Sequence, residues 1–226
     1  DAQLAWKDLS TSVQKAEMHA FGPAAENGFA LQYRLSSYMS GPISSCGVDS
    51  VAALSDDLDV TGRALNSRGM GAVEYLLFKS DLNHPCPPQA ASTQDWNGLT
   101  DDARKAARCE GASLIADDIA DAATTLSNAW SAGGNDYRDQ FLDDSNINQS
   151  LQSVTDGVFY LEKGTKDAKL GKPLGLITAC ATLTCPDQIE APFSSNSIAN
   201  MITNIQAFEN IFISNDETGF DAHIEN

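Results

Sequence analysis

The chain has 226 residues and carries 14 Lys and Arg against 31 Asp and Glu, which gives a formal net charge of −17. This acidity argues against nonspecific nucleic-acid binding, because such binding requires basic side chains that neutralise phosphates. The apolar fraction of 42% predicts a folded protein with a hydrophobic core rather than a disordered acidic chain. No apolar run approaches the ~20 residues that a membrane-spanning helix needs, so no span is predicted.

Helical periodicity is the main local signal in the first half of the chain. Apolar residues recur every three or four positions over residues 4–21, which predicts a helix that stops at Gly22-Pro23. Residues 27–42 are rich in aromatic side chains and predict irregular structure or a short helix over the core. A helical pattern returns over residues 50–78. Residues 80–98 are rich in Pro, Asn, Gln and Ser, and predict a long surface loop or a crossing between domains.

A long helix is predicted to begin after Thr100, whose hydroxyl can cap free backbone amides, and to end at Gly133-Gly134. Its apolar stripe predicts that three aspartates lie on the opposite, outer face: Asp117, Asp118 and Asp121. Further helices are predicted from about Asn146 and from about Ser197. No segment alternates apolar and polar residues cleanly, so the predicted fold class is all-α, with antiparallel helical bundles joined by loops.

The five cysteines include no CxxC pair of the kind that a structural zinc site uses. Cys180 and Cys185 bracket a short segment, Cys86 lies in a turn-rich stretch, and Cys109 lies on a predicted helix. We therefore predict the disulfides Cys180–Cys185 and Cys86–Cys109, with one odd cysteine. The alternative is that all five are reduced core residues. Disulfides would place the protein outside the cytoplasm.

The chain lacks a phosphate-binding loop, a GxSxG nucleophile elbow and an HExxH zinc helix. Its histidines, His19, His84 and His223, come from distant segments. The most informative segment is residues 68–78, where Gly71 and Glu74 are three positions apart and so share one helix face. Taken alone, this spacing indicates little, because a glutamate on a helix is usually solvated and the glycines Gly69 and Gly71 are also typical of close helix packing.

The segment GMGAVEYLLF resembles the signature of the imelysin-like family, GxHxxE running into an EYLLF-like helix. This family includes insulin-cleaving membrane proteases and iron-regulated lipoproteins. Two more segments resemble elements of the family and occur in the same order. The first is an opening Trp-bearing helix that ends in an acidic residue and Phe-Gly-Pro. The second is a Leu-Gly-x-Pro turn followed by Glu-x-x-x-Ser-x-x-Ser. The resemblance covers most of the chain and assigns these residues to the motifs: Glu17, Gly69, Glu74, Tyr75, Glu190, Ser194 and Ser197.

The resemblance implies two helical bundles packed side by side, which we assign to residues 1–98 and 99–226. It also implies further helix beyond both ends, and a site between the bundles. Glu74, Glu17 and Glu190 would there form an acidic cluster that suits a hard cation such as Ca²⁺ or Fe³⁺. The alternative is that each glutamate caps a helix or forms a buried ion pair with an arginine of the set Arg34, Arg63 and Arg68.

The sequence departs from the family signature at Gly71, which stands where the family has histidine and offers no imidazole to bind a metal. We therefore expect a noncatalytic binding protein of the cell envelope, associated with iron or metal acquisition. The cleft between the bundles would take a metal ion (iron, calcium or zinc) or a small ligand. We expect a periplasmic or outer-membrane-associated protein, with a leader or lipid anchor removed before Asp1.

Two other functions remain open on the sequence. One is a zinc peptidase of the imelysin type in which His19 or His84 supplies the missing ligand. The other is an interaction scaffold whose aromatic stretch, residues 27–42, docks an envelope protein.

Overall fold

The computed structural model describes residues 1–55, 58–133 and 136–213, and these ranges contain helices and no strand. The predicted all-α class is confirmed. Predictions that involve Gly134 or His223 lie outside the described residues. The α-helices are α1 (Ala2–Glu17), α2 (Glu26–Leu35), α3 (Ser45–Ala53), α4 (Gly69–Phe78), α5 (Asp101–Trp130), α6 (Tyr137–Leu142), α7 (Ile147–Val158) and α8 (Ser197–Phe212). A π-helical stretch, Leu161–Gly171, follows α7 and is called the π segment below.

The helices with clear apolar periodicity form where the sequence predicts them. The long helix α5 begins after Thr100, whose Oγ1 accepts a hydrogen bond of 3.2 Å from the backbone N–H of Ala103. Asp101 and Asp102 occupy its first turn, where a carboxylate favours the positive end of the helix dipole. The predicted helices near the N-terminus, Asn146 and Ser197 correspond to α1, α7 and α8.

The prediction of a helical stretch over residues 50–78 is wrong in its middle. Helix α3 ends at Ala53, and short 3₁₀ turns at Val60–Gly62 and Leu65–Ser67 precede α4. Gly69 has a φ of +72°, so a continuous right-handed helix cannot pass through it. A Cβ at this position would lie 3.1 Å from the carbonyl oxygen of Leu35, and glycine thus lets the start of α4 approach the end of α2.

The hydrophobic core lies between α5 and the helices that precede it. Helix α5 packs against α2, α3 and α4, while α1 packs against α4 and α8, and α8 also contacts the π segment. The largest apolar side chains that are fully buried in this core are Tyr75, Trp96, Ile115, Ile119, Val48 and Val51. The division at residues 98 and 99 stays a prediction. Among the described residues, no helix combines the length and the apolar character needed to cross a membrane.

The disulfide pairing is confirmed at one bond and wrong at the other. Cys180 and Cys185 are bonded, as predicted, but Cys86 is bonded to Cys46, and Cys109 is a free, exposed thiol on α5. The loop that carries Cys86 lies against the first turn of α3, which brings Cys46 to it. This loop belongs to the predicted surface stretch 80–98, yet it buries Trp96, whose indole N–H donates to the carbonyl of Leu82.

The predicted outer acidic face of α5 is wrong for Asp118, which is buried. Arg34 from α2 donates to Asp118 Oδ1 at 2.6 Å, and Arg68, the residue before α4, donates to both carboxylate oxygens at 2.5 and 2.9 Å. Asp121 remains exposed and accepts a second bond from Arg34. Asp118 thus joins three helices through charge-assisted hydrogen bonds, which the sequence pattern alone does not reveal.

We expect Asp118→Asn to destabilise the protein by about 3–5 kcal/mol, because removing one charge of a buried ion pair leaves its partners uncompensated. The matched control is Asp121→Asn on the same helix, whose exposed pairing contributes about 0.2–1 kcal/mol. Urea unfolding of both variants against the parent protein measures the two values. Equal effects of the two substitutions would contradict the central position given to Asp118.

Candidate functional site

A cavity of about 530 Å³ opens between α1, α4, residues 36–45 and residues 186–193. We call it the Glu74 cleft. Its wall combines apolar side chains with hydroxyl, amide and carboxylate groups. The residues that matter below are Trp6, Gln14, Ser36, Tyr38, Ile43, Met70, Gly71, Glu74, Asp187, Glu190, Phe193 and Asn200.

Glu74 lies on α4 with only 1% of its surface exposed. Its Oε1 accepts hydrogen bonds from the backbone N–H groups of Phe193 and Ser194, at 2.9 and 2.7 Å, and from the Ser194 hydroxyl at 2.7 Å. Oε2 accepts no hydrogen bond from the described residues. Burial raises the pKa of Glu74 from its ordinary value of 4.5 to about 6, and the charge of Glu190 adds to this, against the lowering by the hydrogen bonds.

Tyr75, the next residue on α4, connects this helix to α3 through Asp49. Its hydroxyl donates to Asp49 at 2.7 Å and accepts from the ammonium of Lys79 at 2.8 Å. Burial and the Asp49 carboxylate raise the pKa of Tyr75, so the hydroxyl keeps its proton. The ring meets Phe193 edge-on, with 5.2 Å between centroids, which positions the 193–194 backbone beside Glu74.

The second polar centre of the site is the buried ammonium of Lys169, which comes from the π segment. It lies 2.6 Å from Glu17 Oε2 on α1 and 3.0 Å from Glu190 Oε1, and it also donates to Asn204 and to Gln14. We call this set of side chains the Lys169 cluster. Burial alone would lower the pKa of Lys169, but the charges of Glu17 and Glu190 outweigh it and raise the pKa.

Burial raises the pKa of Glu17 above its ordinary value, although Lys169 acts in the opposite direction. Glu190 completes its coordination with hydrogen bonds of 3.1 Å from Gln14 and from Asn200, which also borders the Glu74 cleft. Gln14 and Glu190 therefore bring the Lys169 cluster to the wall of the cleft. The single positive charge of the cluster, on Lys169, is shared by the carboxylates of Glu17 and Glu190.

The structure brings the predicted site residues to one region but gives them different partners. Glu17 and Glu190 bind Lys169, whereas Glu74 binds Ser194. Ser197 exchanges hydrogen bonds with the backbone of Ala191 and so closes the turn before α8. The arginine alternative is wrong for Arg34 and Arg68, because these two side chains pair with Asp118.

The site residues do not fit the metal ion that the resemblance implies. Within the described ranges, no group of three or more His, Cys, Asp or Glu side chains could hold a metal ion. The ammonium of Lys169 lies between two of the three glutamates that were expected to share a cation. His19 and His84 do not border the cleft, and each ring instead meets a nearby backbone group, of Lys15 and Cys86 respectively.

Gly71 faces the cleft one helical turn before Glu74, and its neighbour is Ile43. A Cβ placed on Gly71 would lie 2.8 Å from Ile43 Cγ2, which is closer than side-chain carbons pack. Any larger residue at position 71 therefore requires Ile43 to move.

Three members of the site were not predicted from the sequence: Lys169, Gln14 and Asn200. Lys169 opens the Leu-Gly-x-Pro segment that carries part of the resemblance, which is the one signal that could have drawn attention to it. Gln14 and Asn200 are uncharged and lie within helices, where nothing in the sequence separates them from surface amides.

We expect Lys169→Met to destabilise the protein by about 3–5 kcal/mol at pH 7, because two buried carboxylates lose their counterion. The loss should be smaller at pH 4, because burial raises the pKa of Glu17 and protonation then removes one of the uncompensated charges. Lys166→Met, at an exposed position of the same segment, is the matched control and should stay within about 0.5 kcal/mol. Denaturant unfolding at both pH values tests this, and a loss independent of pH would contradict the assignment.

The raised pKa of Glu74 predicts a pH dependence of stability. A folded-state pKa above the ordinary value means that the folded protein binds the proton more tightly, so stability is lost as pH rises from 4.5 through 6. Relative to Glu74→Gln, which keeps an acceptor oxygen but no charge, the parent protein should lose about 2 kcal/mol between pH 4 and pH 7. Unfolding free energies of both proteins across this range measure the difference, and a constant difference would contradict it.

The imelysin family model, peptidase family M75, matches the chain over residues 1–226. No curated protein and no solved structure matches the chain with significant similarity.

Proposed function

Because the chain belongs to the imelysin family, we propose that it is a noncatalytic binding protein of the cell envelope that holds a small ligand in the Glu74 cleft. The family resemblance suggests an association with iron or metal acquisition. The observation that carries the proposal is the combination of a sizeable, partly apolar cleft with a donor set that does not suit a catalytic metal.

The size and lining of the cleft support binding of a small molecule. Ligand pockets in proteins measure roughly 300–1,000 Å³ and combine mainly apolar walls with a few fixed polar groups. The Glu74 cleft falls in this range, with Trp6, Met70 and Phe193 among its apolar walls. Gln14, Glu190 and Asn200 are held in its wall by hydrogen bonds to one another, and Glu74 is held by the 193–194 backbone.

The chemistry at position 71 argues against zinc peptidase activity. A catalytic zinc ion usually has three protein ligands from nitrogen, sulfur or carboxylate oxygen, and leaves one position open for water. Gly71 supplies no ligand, Ile43 occupies the space beside it, and Oε1 of Glu74 already accepts three hydrogen bonds. A hydrolytic step would need ligands that the cleft does not offer.

Export to the envelope is supported by the disulfides Cys46–Cys86 and Cys180–Cys185. Disulfides persist in oxidising compartments and are rare in the cytosol. A periplasmic or outer-membrane-associated position, with a lipid anchor before Asp1, is the part of the proposal that rests on the family resemblance.

We expect the purified protein to bind no stoichiometric zinc, calcium or iron and to cleave no denatured protein substrate. Elemental analysis, calorimetric titration with each ion, and a casein assay with and without a chelator measure this. Glu74→Gln is the comparison variant, and it should behave as the parent protein does in all three assays. Chelator-sensitive cleavage that disappears in Glu74→Gln would overturn the proposal in favour of a peptidase.

A further inference from the structure

The Glu74 cleft has an acidic lining without a balancing cation. Among the described residues that border it, Glu74, Asp187 and Glu190 are acidic, and none is Lys, Arg or His. Glu190 forms an ion pair with Lys169, which lies behind the wall and also pairs with Glu17. Glu74 differs, because the groups among the described residues that donate to it are two backbone N–H groups and the Ser194 hydroxyl, all of them neutral. The cleft therefore attracts positive charge.

Within the described part of the chain, one carboxylate oxygen of Glu74 has no hydrogen-bond partner. All three of its hydrogen bonds end on Oε1, and Oε2 accepts none from the described residues, although the side chain is almost completely buried. A buried carboxylate is costly unless its charge is paired and its oxygens are hydrogen-bonded. A cationic donor in the cleft would meet both requirements at once.

The rest of the wall favours an organic cation over a bare metal ion. Trp6, Met70 and Phe193 offer apolar surface that would cover a hydrocarbon or aromatic body. Ser36 borders the same cavity, and its hydroxyl can accept a hydrogen bond from an N–H group. A calcium ion, by contrast, takes about six to eight oxygen ligands, and among the described residues the buried part of the wall offers one unpartnered carboxylate oxygen, Oε2 of Glu74.

We propose that the Glu74 cleft binds a small organic amine in its protonated form, with the ammonium on Glu74 Oε2 and the apolar body against Trp6, Met70 and Phe193. This inference rests on the proposed function, since it names the class of ligand for the same cleft. Glu74 serves as the charge-selecting group, and the 193–194 backbone holds its other oxygen in place.

Three probes of equal size and different charge test the inference: 3-phenylpropylamine, 3-phenylpropan-1-ol and 3-phenylpropanoate. Calorimetric titration at pH 7.5 should show the amine binding at least about tenfold more tightly than the alcohol, and the acid binding least. The indole N–H signal of Trp6, which donates to the Met70 carbonyl at 2.9 Å at the edge of the cleft, should shift on addition of the amine in NMR spectra.

Glu74→Gln should remove the preference for the amine and change the affinity for the alcohol less than about threefold. The control Asp187→Asn, at an exposed carboxylate of the same cleft, should keep the preference. The amine-to-alcohol ratio in the parent protein tests charge selection even if Glu74→Gln fails to fold. Equal binding of the three probes, or a preference for the acid, would overturn this inference alone, and binding of none of them would contradict the proposed function as well.

Discussion

The burial of one ammonium group between two carboxylates determines how the later part of the chain joins the earlier part. Lys169 comes from the π segment, Glu17 from α1 and Glu190 from the turn before α8, so the ion pairs connect stretches far apart in sequence. Asn204 on α8 extends the connection by donating to the Gln14 carbonyl and to Glu17. Such a network is stable only when every member is satisfied, because an incomplete one leaves buried charge. It therefore fixes a single register of α8 against α1.

This constraint also explains why the cleft is asymmetric. On one side, Glu190 forms an ion pair with Lys169 and accepts hydrogen bonds from Gln14 and Asn200, so both of its oxygens have partners within the protein. On the other side, Glu74 is held by neutral donors through one oxygen only. A carboxylate oriented by backbone N–H groups keeps its negative charge available, whereas one paired with an ammonium does not. The two walls contain the same functional group with different electrostatic roles.

The sequence predicts the helices better than it predicts their interruptions and buried charges. Helices α1, α5, α7 and α8 follow from apolar spacing, because a helix buries one face and repeats every 3.6 residues. The breaks after Ala53 depend on a left-handed glycine and on short turns, which periodicity does not encode. Whether Asp118 or Lys169 is buried depends on partners more than 30 residues away.

The sequence led to three glutamates of this region, but it led neither to Lys169, Gln14 and Asn200 nor to how the side chains pair. The family signature led to Glu74, Glu17 and Glu190 from their sequence context, and all three lie at or behind one cleft. The three glutamates were expected to bind one cation together. Lys169 instead pairs with two of them, Glu17 and Glu190, and the sequence does not show this contact. The same applies to the cysteines, because only the folded chain shows that Cys46 rather than Cys109 meets Cys86.

The contact between Gly71 and Ile43 has a consequence for how this chain could change over time. A histidine introduced at position 71 would crowd Ile43, and overpacking of this kind costs about 1–3 kcal/mol. The partly buried Ile43 side chain would have to move before the new residue fitted. Positions 71 and 43 are therefore coupled, because the size of one side chain sets the space that is left for the other.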